Sequence, residues 1–180
     1  MRIRFARFAL VAGLVPLLCA CAASGPLMSA TETTSAGDWR IVRGVDTVTG
    51  GTLTNVRLQA SRTANSRYAS TPNALLQFAC VKGQLVIHLQ FAFQVGSKAD
   101  SEISYRFDER PGHTIKGHIL RGLKIVVIDD KREAVPFIDE LQTANVLYVV
   151  ISSLAKGRTS VEFRVTGASA AIEPARAKCH

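Results

Sequence analysis

Residues 38–180 are expected to form a β-rich α+β domain, an antiparallel sandwich or barrel-like sheet with one inserted helix and a disulfide-closed C-terminus. Three observations predict it. Short strand-like segments follow one another at spacings near ten residues, one segment carries an amphipathic helical stripe, and Cys80 and Cys179 are placed so that one bond would close most of the domain.

The most legible strand is Gln84 to Val95. Leu85, Ile87, Leu89, Phe91, Phe93 and Val95 alternate there with a face that carries His88, Gln90 and Gln94. One wet face is the habit of antiparallel sheets. Leu75 to Val81 is its expected partner across a tight Lys82-Gly83 connection, with Cys80 on the same face as Leu76 and Phe78. Further strands are expected at Trp39 to Val45, Leu53 to Ala60, Ile103 to Phe107, Ile115 to Leu120, Leu123 to Ile128, Val146 to Ile151 and Val161 to Val165. In the last of these, Val161, Phe163 and Val165 alternate with Glu162 and Arg164. Glu133 to Ala144 reads as a helix with Ala134, Phe137, Ile138 and Leu141 on one stripe, provided that Pro136 lies in the first turn. Ser169 to Lys178 is a weaker helical segment, interrupted by Pro174, and is expected as a C-terminal turn clamped by Cys179.

The first twenty residues have a different character. Arg2, Arg4 and Arg7 precede an apolar run of eleven residues, Phe8 to Leu18, which gives way to small residues. That order is the order of a secretory signal. The run is shorter than the roughly 20 residues a membrane-spanning helix needs. Leu18-Cys19-Ala20-Cys21 resembles the bacterial lipobox, and the resemblance implies cleavage before Cys21 and acylation of that residue. Ala20-Cys21-Ala22 also fits ordinary cleavage after Ala22. Ala22 stands where an Asp would imply inner-membrane retention, so the outer membrane is the expected destination, facing the periplasm. Residues 1–20 are accordingly expected to be a lipoprotein signal peptide and 21–37 a flexible tether, since AASGPLMSATETTSAG holds few large apolar residues to offset ordering entropy.

Of 22 basic residues, three are in the signal segment, which leaves 19 against 14 acidic ones and a formal charge of +5 for the mature chain. The bases are scattered, with Arg57, Arg62 and Arg67 in one region and Arg121, Lys124, Lys131 and Arg132 in another. They suit a solvated face or attraction to anionic lipid, lipopolysaccharide or wall polymers. Nucleic acid is not an expected partner, because no basic run is interleaved with stacking aromatics. With Cys19 removed and Cys21 lipidated, Cys80 and Cys179 remain in an oxidising compartment, and one disulfide is the economical outcome. Metal ligation or a redox pair is the alternative, which no C-x-x-C or Cys/His spacing supports.

Candidate chemistry is sparse. Ser153-Leu154-Ala155-Lys156 matches S-x-x-K but lacks the S-D-N and K-T-G companions of that site, so a chance match is expected. His88, His113 and His118 show no spacing that predicts a metal site. Asp108-Glu109 and Asp129-Asp130 end strands, where turn-making is the default for Asp. Arg106 is expected on the wet face of its strand, pairing with a carboxylate or binding an anion. Arg106, Asp108 and the loop Pro111-Gly112-His113 form the expected binding surface. No cofactor, metal or catalytic residue is expected.

Trp39, then Asp46-Thr47-Val48-Thr49, Leu76 ahead of Cys80, Tyr105-Arg106-Phe107-Asp108, Phe163, Gly167 and Cys179 occur in an order similar to small periplasmic proteins of the VasI type, associated with type VI secretion. The resemblance spans nearly the whole domain and implies a disulfide-closed β-sandwich. The functional expectation is a non-enzymatic, membrane-tethered envelope protein that binds a protein or cell-wall partner, possible roles including accessory to a secretion or surface assembly. The alternative is a small-ligand-binding or lytic-enzyme-inhibitor module of the periplasm.

Overall fold

The computed structural model describes residues 28–66, 73–95, 100–120, 122, 124–153 and 157–179. In chain order they form β1 (Met28–Ala36), β2 (Trp39–Asp46), β3 (Thr52–Gln59), β4 (Arg62–Asn65), β5 (Ala74–Val81), β6 (Gln84–Phe91), β7 (Asp100–Phe107), β8 (His113–Leu120), β9 (Ile125–Ile128), α1 (Lys131–Leu141), β10 (Val146–Ser153), β11 (Gly157–Arg164) and α2 (Ala168–Arg176). The strands make one antiparallel sheet of order β1-β2-β3-β5-β6-β9-β8-β7-β10-β11-β4. The expected β-rich α+β fold is therefore the fold of the chain.

The order hides a closure. β3 and β4 are separated by two residues, yet they lie far apart in the sheet order. Ala60 N donates to Ala74 O beside β5, whereas Ser61 N donates to Glu162 O on β11. The chain changes hydrogen-bond partner between adjacent residues, and this step joins the far edge of the sheet to its third strand. Trp39 reinforces the seam: it is fully buried at the start of β2, and its Nε1 donates to Val165 O just beyond β11 at 3.2 Å.

Local chemistry explains most of the elements. In the β5–β6 hairpin, Lys82 and Gly83 have φ of 50° and 73°, the positive pair that a type I′ connection requires. α1 starts at Lys131, two residues earlier than the periodicity suggests, because the Asp130 carboxylate accepts from Arg132 N at 2.9 Å as an N-cap. The Arg132 guanidinium and N–H hold the Asp130 carboxyl below its ordinary range. Pro136 therefore falls in the second turn instead of the first, where it leaves the Arg132 carbonyl without its helical donor. The C-terminal segment is a true helix, α2, in which Pro174 is accommodated. Its stripe of Ala168, Ala171, Ile172 and Ala175 is small enough to lie close against β3 and β5.

Two expectations need correction. Residues 28–36 of the anticipated tether are strand β1, paired with β2 from Met28–Asp46 to Ala36–Trp39. Ladder hydrogen bonds join backbone to backbone, so a hydroxyl-rich strand can be held without burying apolar side chains of its own. Second, the long strand ends at Phe91. Ala92 and Phe93 bend away, although Val95 still reaches the core fully buried. Strand β4 was not anticipated, since Arg62-Thr63-Ala64-Asn65 has no apolar alternation. Its inward positions are Thr63 and Asn65, and Asn65 Nδ2 donates to Thr159 Oγ1 at 2.7 Å.

Both helices pack on the same apolar face of the sheet. Phe137 of α1 stands edge-on to Tyr105 and Phe107, with ring centroids 4.9 and 5.2 Å away. The Cys80–Cys179 disulfide links β5 to the segment after α2, with Cα atoms 5.4 Å apart. The pairing expected from cysteine arithmetic is the one formed.

Two outcomes follow from this packing. Gly117 on β8 faces the core, where a Cβ would lie 2.7 Å from both Ile103 Cδ1 and Val126 Cγ1. Gly117→Ala should lower unfolding free energy by about 1–3 kcal/mol in denaturant titration, and adding Ile103→Val should recover part of it. Replacing both Cys80 and Cys179 by Ser should lower stability by ~2–4 kcal/mol, below the ~4.7 kcal/mol that chain entropy sets for a loop of about 100 residues.

Candidate functional site

Directly opposed residues on neighbouring strands share a face, so the register identifies what the outer face of the sheet displays. Arg106 opposes Tyr148, Tyr148 opposes Glu162, and Glu162 opposes Arg62. These four side chains form a row of large groups across β7, β10, β11 and β4. Two residues along the strands, Thr114, Ser104, Val150, Ser160 and Ala64 form a second row across β8, β7, β10, β11 and β4. The second row is made of small groups. Beyond it stands Arg158, opposite Ser152. A low row between taller flanks makes a trough perpendicular to the strands, an open concavity of about 640 Å³.

The flank is ordered by contacts between its own members. The Arg106 guanidinium lies over the Tyr148 ring, 5.1 Å from its centroid, and Tyr148 is 37% exposed despite that cover. The structure thus gives Arg106 an aromatic neighbour, where the sequence suggested a carboxylate. Arg62 Nη1 lies 3.8 Å from Glu162 Oε2, an exposed pair of little energetic weight. Three guanidinium groups, from Arg62, Arg106 and Arg158, face one carboxylate, Glu162, so the trough carries positive charge.

The expected binding residues divide. Arg106 is on the flank, and Gly112 and His113 form one end of the trough. Pro111 is exposed in the turn beside them. Asp108 serves the fold: its φ is 48°, and its carboxylate accepts from Val146 N at 2.8 Å and Asn145 N at 3.1 Å, which latches the end of β7 to the start of β10. Arg110 ties the same loop to the C-terminal end of α1 through Glu140 O and the Thr143 carbonyl and hydroxyl. The His113 ring turns toward α1, stacked on Tyr105 at 5.2 Å with Nε2 3.3 Å from Glu140 Oε1.

Other anticipated groups do not join the trough. His88 lies on β6, and His118 on β8 stands 3.5 Å from Asp129. Among the described residues no three His, Cys, Asp or Glu side chains converge to hold a metal. Ser153 ends β10, while Leu154 to Lys156, like Cys21, Arg67, Arg121 and Leu123, lie outside the described residues. Tyr148, Arg158, Ser104 and Ser160 were not anticipated, and Arg62 only as one of the scattered bases, because their adjacency depends on register. The only local signal was the alternation of β11, which sets Arg158, Ser160 and Glu162 on one face.

No family model, curated protein or solved structure matches the chain.

Tyr105 lies behind the trough, where burial, with Glu140 and Glu133 nearby, pushes its hydroxyl up to about 12. A raised folded-state value stabilises fully below the unfolded value near 10 and is lost as pH rises through about 12. Unfolding titrations from pH 9 to 12 should therefore show a decline in stability that is shallower in Tyr105→Phe.

Proposed function

We propose that this chain is an exported, membrane-tethered envelope protein that binds a protein or wall component through the outer face of its sheet, without enzymatic activity. The observation that supports this most is the combination of an export signal ending in Cys21 with a domain that presents a positively charged trough on the face opposite its helices. Strands hold that face rigidly, which lowers the ordering cost of binding. The disulfide agrees with an oxidising compartment. An accessory role in a secretion or surface assembly belongs to the same proposal and rests on the VasI-type resemblance.

The anchor would be short. Six residues, 22–27, separate Cys21 from Met28 at the start of β1, a reach of at most about 25 Å. An acylated Cys21 therefore keeps the domain near the bilayer, which for the proposed outer-membrane location faces the periplasm.

The test has two parts in the native organism. Labelled palmitate should enter the chain, Cys21→Ala should abolish that labelling, and inhibition of lipoprotein signal peptidase should leave an uncleaved precursor. Normal processing under the inhibitor would instead make the protein a soluble periplasmic one. A photocrosslinker at Val150 should capture a reproducible envelope component that a crosslinker at Arg43 does not. Capture of a lytic enzyme would identify an inhibitor module, and the absence of any reproducible product would sink the binding reading.

A further inference from the structure

We infer that the trough is a binding site for a linear acidic glycan, a chain of sugars bearing carboxylate or phosphate groups. The inference deepens the binding function proposed above and rests on it.

Shape comes first. The floor crosses five strands, and at the usual interstrand spacing four steps span about 19 Å. Its flanks stand one row to either side, about 7 Å along the strands. Such a channel, with Gly112 and His113 at one end, accepts one extended chain lengthwise. The sheet beneath it is continuous, and β7, β10 and β11 are each paired on both sides. Their backbone donors and acceptors are engaged in ladders, so the length of the floor across β7, β10 and β11 offers no strand edge to an extended peptide, and only β4 at its end is, among the described residues, paired on one side alone.

The side chains then specify the chemistry. Ser104, Thr114 and Ser160 bring hydroxyl groups to the floor, and Ser104 Oγ lies 3.3 Å from Thr114 Oγ1. Hydroxyls that donate and accept suit a ligand made largely of hydroxyl and ring oxygens. Tyr148 supplies an exposed aromatic surface, and its ring is held in place by Arg106. Such a ring packs against the C–H face of a sugar. Arg106 and Arg158 stand on opposite flanks, so anionic groups on either side of the chain meet a guanidinium fork. Positive charge, hydroxyl floor and aromatic flank all point to the same ligand class.

The full-length chain, purified in detergent, would be titrated with an oligogalacturonate by calorimetry at low and moderate salt. Binding is expected, weakened by salt, and about tenfold or more weaker in Arg158→Ala and Arg106→Ala. Ser160→Phe, which fills the floor from an exposed position, should abolish it. Arg43→Ala, the same charge change on the β1–β2 hairpin, should leave it unchanged, and all variants are checked for native melting. Equal binding of the fully methyl-esterified oligomer would overturn the requirement for anionic groups. Binding of a hexaglutamate peptide but not of the sugar acid would overturn the glycan and point to a protein occupant. Failure of every probe would overturn this inference, whereas the broader reading fails separately, on the absence of a crosslinked partner in cells.

Discussion

The sheet depends on the change of partner at Ala60 and Ser61. One N–H points to β5 and the next to β11, so a single covalent step ties β4, the last strand of the order, to β3 near the other end. The step curls the sheet back on itself although, among the described residues, β1 and β4 each keep one strand partner. It also encloses one core, in which Trp39, Phe78, Phe107, Phe137 and Phe163 are buried together although they come from different strands and a helix. The Trp39 indole bonded to Val165 O lies along the seam, and the Asn65–Thr159 pair lies within the β4–β11 ladder beside it. The Trp39 Nε1–H and the Asn65 amide are buried polar groups, and each is matched by a hydrogen bond, which is the condition for burying them at all.

Closure also produces the trough. Without β4 beside β11 the large row would end at Glu162 and the small row at Ser160. Arg62 and Ala64 extend both rows by one strand. α1 occupies the other face of β7, as Phe137 against Tyr105 and Phe107 shows. Alternate residues of β7 therefore serve two purposes. Tyr105 and Phe107 hold the helix, while Ser104 and Arg106 face outward.

This division explains what the sequence revealed and what it hid. The alternation of β6 and β11 and the stripe of α1 are local, with apolar side chains recurring at the period of the element, and they were legible. The Cys80–Cys179 bond was legible because few cysteines remained to choose from. Strand β1 was hidden because Ser, Thr and Glu carry no apolar signal when the backbone ladder does the holding. α2 was obscured by Pro174 and by alanines whose small size, useful for close packing on β3 and β5, reads as weak hydrophobicity. The trough was hidden for a deeper reason. Arg62 and Tyr148 are 86 residues apart in the numbering, and only the register of β4, β11 and β10 makes them members of one row. Of the anticipated surface, Arg106, Gly112 and His113 were found at the trough because a strand end and its following turn are local features. Asp108, also expected on the binding surface, instead makes the turn that is the default for an Asp at a strand end, and its carboxylate latches β7 to β10.

The disulfide fastens a different part of the sheet. Cys179 follows α2 directly, and its bond to β5 holds that helix against the apolar face of the sheet. α1 is held there separately, by its own aromatic contacts and by Arg110, which grips the last turn of the helix from the β7–β8 loop. Of the strands that carry the trough, β7 is backed by α1 through Tyr105 and Phe107, and the outward rows keep the spacing that the ladder sets. A ligand that must lie across five strands gains affinity only if those strands do not slide or splay as it binds. Among the fastenings on the helix face, the seat of α1 on β7 is the one that bears directly on recognition on the other.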